Sequence, residues 1–270
     1  MTERKIDFMK TDLFHIGKFV IHGYGLMIGI GFVLALLVGE YRAKKMGMKE
    51  EALIDIAIIA GVSGFLGAKL LYIIVSFKDF IEDPIGVLGS SGFVVYGGLI
   101  AGVLCNLIYV KIKKLSFLEY FDLVMPEIAL AQGFGRIGCF LAGCCYGKES
   151  EHGLYFPALN ARVIPTQLIE ACFLFALFGV LLWMTLKNKP VGVNLIVYCL
   201  AYSVFRFIIE FYRDDPRGAF LGALSPSQAQ SIILFFAGAA LVVLRIKKPA
   251  LYLPPAINTK TSSDGRTSDT

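Results

Sequence analysis

Apolar residues recur along this chain in runs long enough to cross a bilayer, separated by short polar connections. The clearest run, Phe19 to Gly39 (FVIHGYGLMIGIGFVLALLVG), has no ionisable side chain except His22. The pattern predicts seven helical spans: Phe19 to Gly39, Ala52 to Phe77, Gly92 to Val110, Phe121 to Cys145, Gln167 to Leu186, Val191 to Tyr212 and Gln228 to Leu244. The first run follows a polar leader, residues 1–18, and continues for about the 20 residues that spanning requires, so it reads as an uncleaved helix. The expected fold is an all-α polytopic membrane protein with one transmembrane domain over residues 19–248. The polar, proline-bearing segment 249–270 has no periodicity and is expected to be disordered.

Composition agrees with the pattern. The 270 residues are 56% hydrophobic and 17% charged, against roughly 45–50% apolar residues in soluble domains. A soluble core could not hide so much apolar surface. The net charge of +5 does not point to nucleic acid, because the basic residues lie in short clusters between apolar runs. Anionic lipid is the simpler partner.

The same clusters set an orientation. Connections after spans one, three and five, together with the C-terminal tail, carry Arg42, Lys44, Lys45, Lys49, Lys111, Lys113, Lys114, Lys187, Lys189, Arg245, Lys247, Lys248, Lys260 and Arg266, fourteen in all. The opposite side carries nine: Arg4, Lys5, Lys10, Lys18, Lys78, Lys148, Arg162, Arg213 and Arg217. The positive-inside rule then places the N-terminus outside and the C-terminus in the cytoplasm. Gly61, Gly64, Gly67 and Ala68 in span two, and Gly98 and Gly102 in span three, allow close helix contact.

Ionisable residues inside spans carry the candidate chemistry, since each costs about 2.5–3.5 kcal/mol at a helix centre unless paired or functional. Lys69, Glu127, Arg136, Arg206 and Glu210 stand out. Arg206 and Glu210 are four residues apart, which puts them on one helix face and in reach of each other. Arg136 has Gln132, Gly133, Cys139 and Phe140 at the neighbouring helical positions, so its counter-charge must come from another helix or a ligand. Its planar fork suits a phosphate, and phospholipid headgroups supply phosphate in a membrane.

Cys139, Cys144 and Cys145 lie close by, in the spacing C-x4-C-C. That is not a familiar zinc spacing, and only His152 is near enough to add a fourth ligand, so no metal is assigned. A Cys139–Cys145 disulfide and a bland role as small buried apolar groups both remain open.

Several segments in order resemble one family, the bacterial phosphatidylglycerol:prolipoprotein diacylglyceryl transferases. They are YGLM from Tyr24, GAKLLY from Gly67, YGGLIAG from Tyr96, GRIGCFLAGCCYG from Gly135, PTQLIE from Pro165 and RFIIEFYRDD from Arg206. The resemblance implies a seven-helix enzyme of the bacterial cytoplasmic (inner) membrane, multi-pass and without a cofactor. Its implied partners are phosphatidylglycerol and the signal peptides of preprolipoproteins, and its implied reaction moves the diacylglyceryl group to the lipobox cysteine thiol, releasing glycerol phosphate. It further implies that Arg136 binds the phospholipid, with Tyr24 and Gly147, and that Arg206 and Glu210 are essential. Tyr96 stands where the family usually has a histidine suited to proton transfer, and Cys139, Ala142 and Cys144 replace two asparagines and a glutamate. Ile164 likewise replaces a histidine, and Gly23 a tryptophan. Two other functions fit the departures: a non-catalytic relative that binds anionic lipid, and a cysteine-based membrane redox or metal protein.

Overall fold

A computed structural model describes residues 12–16, 19–90, 92–186, 190–214 and 224–249. Of the expectations above, most of the N-terminal leader, the basic residues Lys187, Lys189 and Arg217, and nearly all of the tail lie outside the described residues. The chain begins with strands β1 (Asp12–Ile16) and β2 (Phe19–His22), an antiparallel hairpin, and continues into helix α1 (Gly23–Lys45). Helices α2 (Glu50–Val75), α3 (Phe77–Glu82), α4 (Pro84–Gly89), α5 (Val95–Ile112) and α6 (Phe117–Leu141) follow. A second antiparallel hairpin, β3 (Glu149–Phe156) with β4 (Ala161–Val163), leads to α7 (Thr166–Leu186) and α8 (Val193–Ile209). A 3-10 turn, Glu210–Tyr212, and α9 (Pro226–Lys247) complete the described chain.

The fold is thus a mostly helical membrane bundle with two small hairpins, β1–β2 before α1 and β3–β4 before α7. Two boundaries correct the sequence reading. Phe19–His22 is strand, not the start of the first span, because its backbone pairs with Asp12–Ile16 and the helix begins only at Gly23. The fourth expected span is helix α6, which ends at Leu141 rather than Cys145, because Gly143 adopts a left-handed backbone (φ 67°) that an α-helix cannot contain.

Six of the helices, α1, α2, α5, α7, α8 and α9, are long and apolar enough to cross a membrane. They turn large apolar side chains such as Leu37, Val62, Leu66, Ile108 and Ile233 outward, the arrangement a lipid solvent favours. Helix α6 is as long but carries Glu119, Asp122, Glu127 and Arg136, and it sits at the centre. It packs on α1, α7 and α8. One apolar core joins Met125 and Ala129 of α6 to Leu177 and Leu181 of α7 and to Leu195 and Cys199 of α8.

Close packing of α2 on α5 follows from small residues. A Cβ on Gly67 would run into Ala101 and the Gly97 carbonyl, and one on Gly98 would meet the Gly64 carbonyl at 2.6 Å. Gly61, by contrast, faces open space.

Two of the intramembrane charges are settled locally. Lys69 donates to the Ser90 carbonyl (2.8 Å) and the Gly92 carbonyl (3.3 Å), with its ammonium 5.2 Å from the Tyr72 ring centre and 4.9 Å from that of Phe93. Glu127 takes a 2.5 Å ion pair from Arg42, which also donates to the Leu123 carbonyl at 2.8 Å and to Thr185 at 3.0 Å. Counting Arg42 as a solvated loop charge is therefore corrected: it lies in the last turn of α1 and is buried. Pro126 in α6 has no N–H, which leaves the Asp122 carbonyl one turn earlier to accept from Asn194 of α8 at 3.4 Å.

Candidate active site

The end of α6 builds one wall of the site. The Gly143 amide donates to the Phe140 carbonyl at 3.1 Å and the Cys144 amide to the Cys139 carbonyl at 3.1 Å, the paired bonds of a Schellman motif. The chain that leaves this motif is pinned to the first turn of α7. Gln167 donates to the Cys144 carbonyl at 2.6 Å and Thr166 to the Cys145 carbonyl at 2.8 Å, both side chains fully buried.

Gly147 then passes between two other backbone segments. Its amide donates to the Ile164 carbonyl at 2.9 Å, and it forms a β-bridge with Arg213. A Cβ here would lie 2.6 Å from the Tyr212 carbonyl oxygen and 2.8 Å from that of Ile164, so only glycine allows the approach. Gly147 is thereby the backbone seat that holds the end of α8 against the α6–α7 connection.

Across this frame runs a line of alternating charges. Arg136 of α6 places Nε 3.0 Å from Oε1 of Glu170 on α7. The same Oε1 lies 3.8 Å from Nε of Arg206 on α8, whose other end pairs with Glu210 at 2.9 Å. Glu210 in turn lies 3.8 Å from Arg213. Helix α9 closes the line: Ser227 accepts from Arg206 at 2.7 Å, and the N-cap residue Ser225 donates to Glu210 at 2.8 Å.

Of the six expected site residues (Tyr24, Tyr96, Arg136, Gly147, Arg206 and Glu210), Arg136, Arg206 and Glu210 meet in one network, and Gly147 adjoins it through Arg213. The pair expected from the i, i+4 spacing is present. The counter-charge required by Arg136 comes from another helix, as Glu170. Tyr24, at the start of α1, packs against Gly138 of α6, two residues beyond Arg136, and is exposed. Tyr96 lies half-buried in the first turn of α5, which packs chiefly on α2 and so on a different pair of helices from those carrying the network.

The sequence reading missed Glu170 and used Arg213 only in the count of basic residues on the outer side, although its side chain is buried beside Glu210. The signal for Glu170 was present: a carboxylate within an apolar run, subject to the same cost of burial as the five residues that were noticed.

The arginines differ in access. The side chain of Arg136 is 21% exposed, against 7% for Arg206 and 3% for Arg213, so Arg136 is the one an incoming group can reach. Beside Tyr24, the exposed side of α1 carries a shallow, open apolar groove formed by Gly25, Leu26, Gly29, Ile30, Val33 and Leu34.

A bundle of lipid-facing helices around a buried ion-pair network defines a multi-pass membrane protein. Comparison with known proteins is more specific. Residues 11–244 match the family model for prolipoprotein diacylglyceryl transferase. The chain is 43% identical over 239 residues to phosphatidylglycerol–prolipoprotein diacylglyceryl transferase 2 of Clostridium perfringens, covering 85% of this chain and 93% of that one. It is 42% identical to the corresponding transferase of Clostridium tetani, covering 85% and 95%, and 33% identical to one from Clostridium botulinum, covering 90% and 100%. The chain belongs to the prolipoprotein diacylglyceryl transferase family.

Proposed function

We propose that this chain catalyses the first step of lipoprotein modification, moving diacylglyceryl from phosphatidylglycerol to the cysteine thiol of a preprolipoprotein signal peptide. The sulfur attacks the glyceryl carbon bonded to phosphate, the C–O bond breaks, and glycerol phosphate leaves with the electron pair. The thiol proton must pass to a base, and the leaving phosphate needs a positive partner. Supporting this reading are the family membership and an Arg136 whose side chain is 21% exposed, the most open arginine of the network.

In this reading Arg136 receives the phosphate through its guanidinium fork. Glu170, Arg206 and Glu210 fix the fork in place, Tyr24 flanks the headgroup, and the groove on α1 accommodates an acyl chain. Tyr96 is the candidate for proton transfer. We place the enzyme in the bacterial cytoplasmic membrane with the N-terminus outside and the C-terminus in the cytoplasm, α6 serving as a seventh span. The basic last turns of α1, α5 and α9, which fall on one side in an alternating bundle, support this orientation.

The test is purified full-length protein supplied with phosphatidylglycerol and a lipobox peptide. Glycerol phosphate release should exceed that of an Arg136→Ala variant by orders of magnitude. Equal release by the two proteins refutes the reading, and phosphatidylglycerol binding without release would favour the non-catalytic lipid-binding relative, to which the tyrosine at position 96 points.

A further inference from the structure

The mechanism above makes no use of Cys139, Cys144 and Cys145, yet the fold gathers their three sulfurs to within 4.8 Å of one another. None is in a disulfide. The cause is the Schellman end of α6. In that motif the side chain three positions before the cap and the side chain two positions after it come into contact, and these are Cys139 and Cys144. Cys145 follows with a left-handed backbone, φ 65°, unusual for a residue with a Cβ. Hydrogen bonds from Thr166 and Gln167 to the carbonyls of Cys145 and Cys144 hold this backbone in place.

We propose that the three sulfurs form a binding site for a soft, thiophilic metal cation, with Cys139, Cys144 and Cys145 as its ligands. A metal–thiolate bond is about 2.3 Å long, which puts sulfurs around one three-coordinate ion about 4 Å apart, so closure needs shifts of under about 1 Å. Thiolate sulfur selects soft cations over the hard ions that prefer oxygen. On binding, each S–H bond gives its proton to solvent as a metal–sulfur bond forms, and no oxidant takes part. Three thiolates on a divalent ion carry one net negative charge, and basic side chains are at hand: Arg136 precedes Cys139 by less than one turn of α6, and Arg213 is bridged to Gly147, two residues beyond Cys145. Cys144 is exposed and gives the ion its way in. The linear spacing C-x4-C-C concealed this site, because spacing rules describe hairpin and helix-face arrangements and not a helix end that doubles back.

Full-length protein in detergent, reduced, freed of reductant without air and titrated with cadmium(II), supplies the test. The expected result is a saturable ultraviolet sulfur-to-cadmium charge-transfer band at one ion per chain. It should be lost when Cys139, Cys144 and Cys145 are all replaced by serine, and weakened by Cys144→Ser alone, a surface change that leaves the fold intact by size exclusion. Cys105→Ser, Cys172→Ser and Cys199→Ser should leave it unchanged. A band that survives in the folded Cys144→Ser variant at full strength, or wild-type protein with no saturable band, overturns the proposal. The reading needs neither lipid nor turnover, so it is decided separately from the transferase reaction.

Discussion

Glu170 is the carboxylate on which Arg136 and Arg206 converge, and glutamine in its place keeps the shape while removing the charge. The side chain is 1% exposed, so water cannot replace what is lost. Breaking a buried ion pair by removing one partner costs about 3–5 kcal/mol. The amide oxygen still accepts from Arg136, which returns on the order of 1 kcal/mol. The expected destabilisation of Glu170→Gln is then about 2–4 kcal/mol, measured by unfolding in detergent, and Glu170→Ala should lie above that range. Activity should suffer as well, because Arg136 loses the anchor that orients its fork. If about 2 kcal/mol of that positioning is used in the transition state, kcat/KM for glycerol phosphate release falls about thirtyfold. A folded Glu170→Gln protein with wild-type stability and wild-type kcat/KM would refute the assignment of Glu170 as the organising carboxylate.

Arg42→Ala leaves Glu127 buried without its partner and should cost about 3–5 kcal/mol in detergent unfolding; a loss under about 1 kcal/mol would show the pair is not structural. Gly67→Leu should separate α2 from α5 and cost at least about 1–3 kcal/mol, whereas Gly61→Ala, into open space, should be tolerated; equal stability of the two variants would contradict the packing described. Tyr96→Phe removes the hydroxyl proposed to move the proton, so kcat should drop while KM for phosphatidylglycerol stays level. An unchanged kcat would remove Tyr96 from the reaction.

Much of the fold could be read from the chain because a lipid solvent makes composition decisive. A run such as Glu50–Val75 must be helical wherever it lies in a bilayer, since its backbone polar groups have no water to bond. The hairpin β3–β4 could not be read that way. Its order comes from burying Phe156 and Val163, residues that nothing local marks as inward-facing. Among the functional groups, Arg136, Arg206 and Glu210 were legible because a charge in an apolar run is costly, and cost can be read one residue at a time.

Which charges meet is another matter, because it depends on side chains from helices far apart in the chain. Arg206 with Glu210 is a local pair, fixed by helical spacing. Arg136 with Glu170, and Arg42 with Glu127, join separate helices, and packing alone brings them together. By itself, the sequence determined a polytopic helical membrane protein of the diacylglyceryl transferase family and the presence of costly buried charges. Tertiary structure decided their partners and their unequal exposure, because each depends on groups whose chain separation carries no information about their distance, whereas the three sulfurs gather through the local turn at the end of α6.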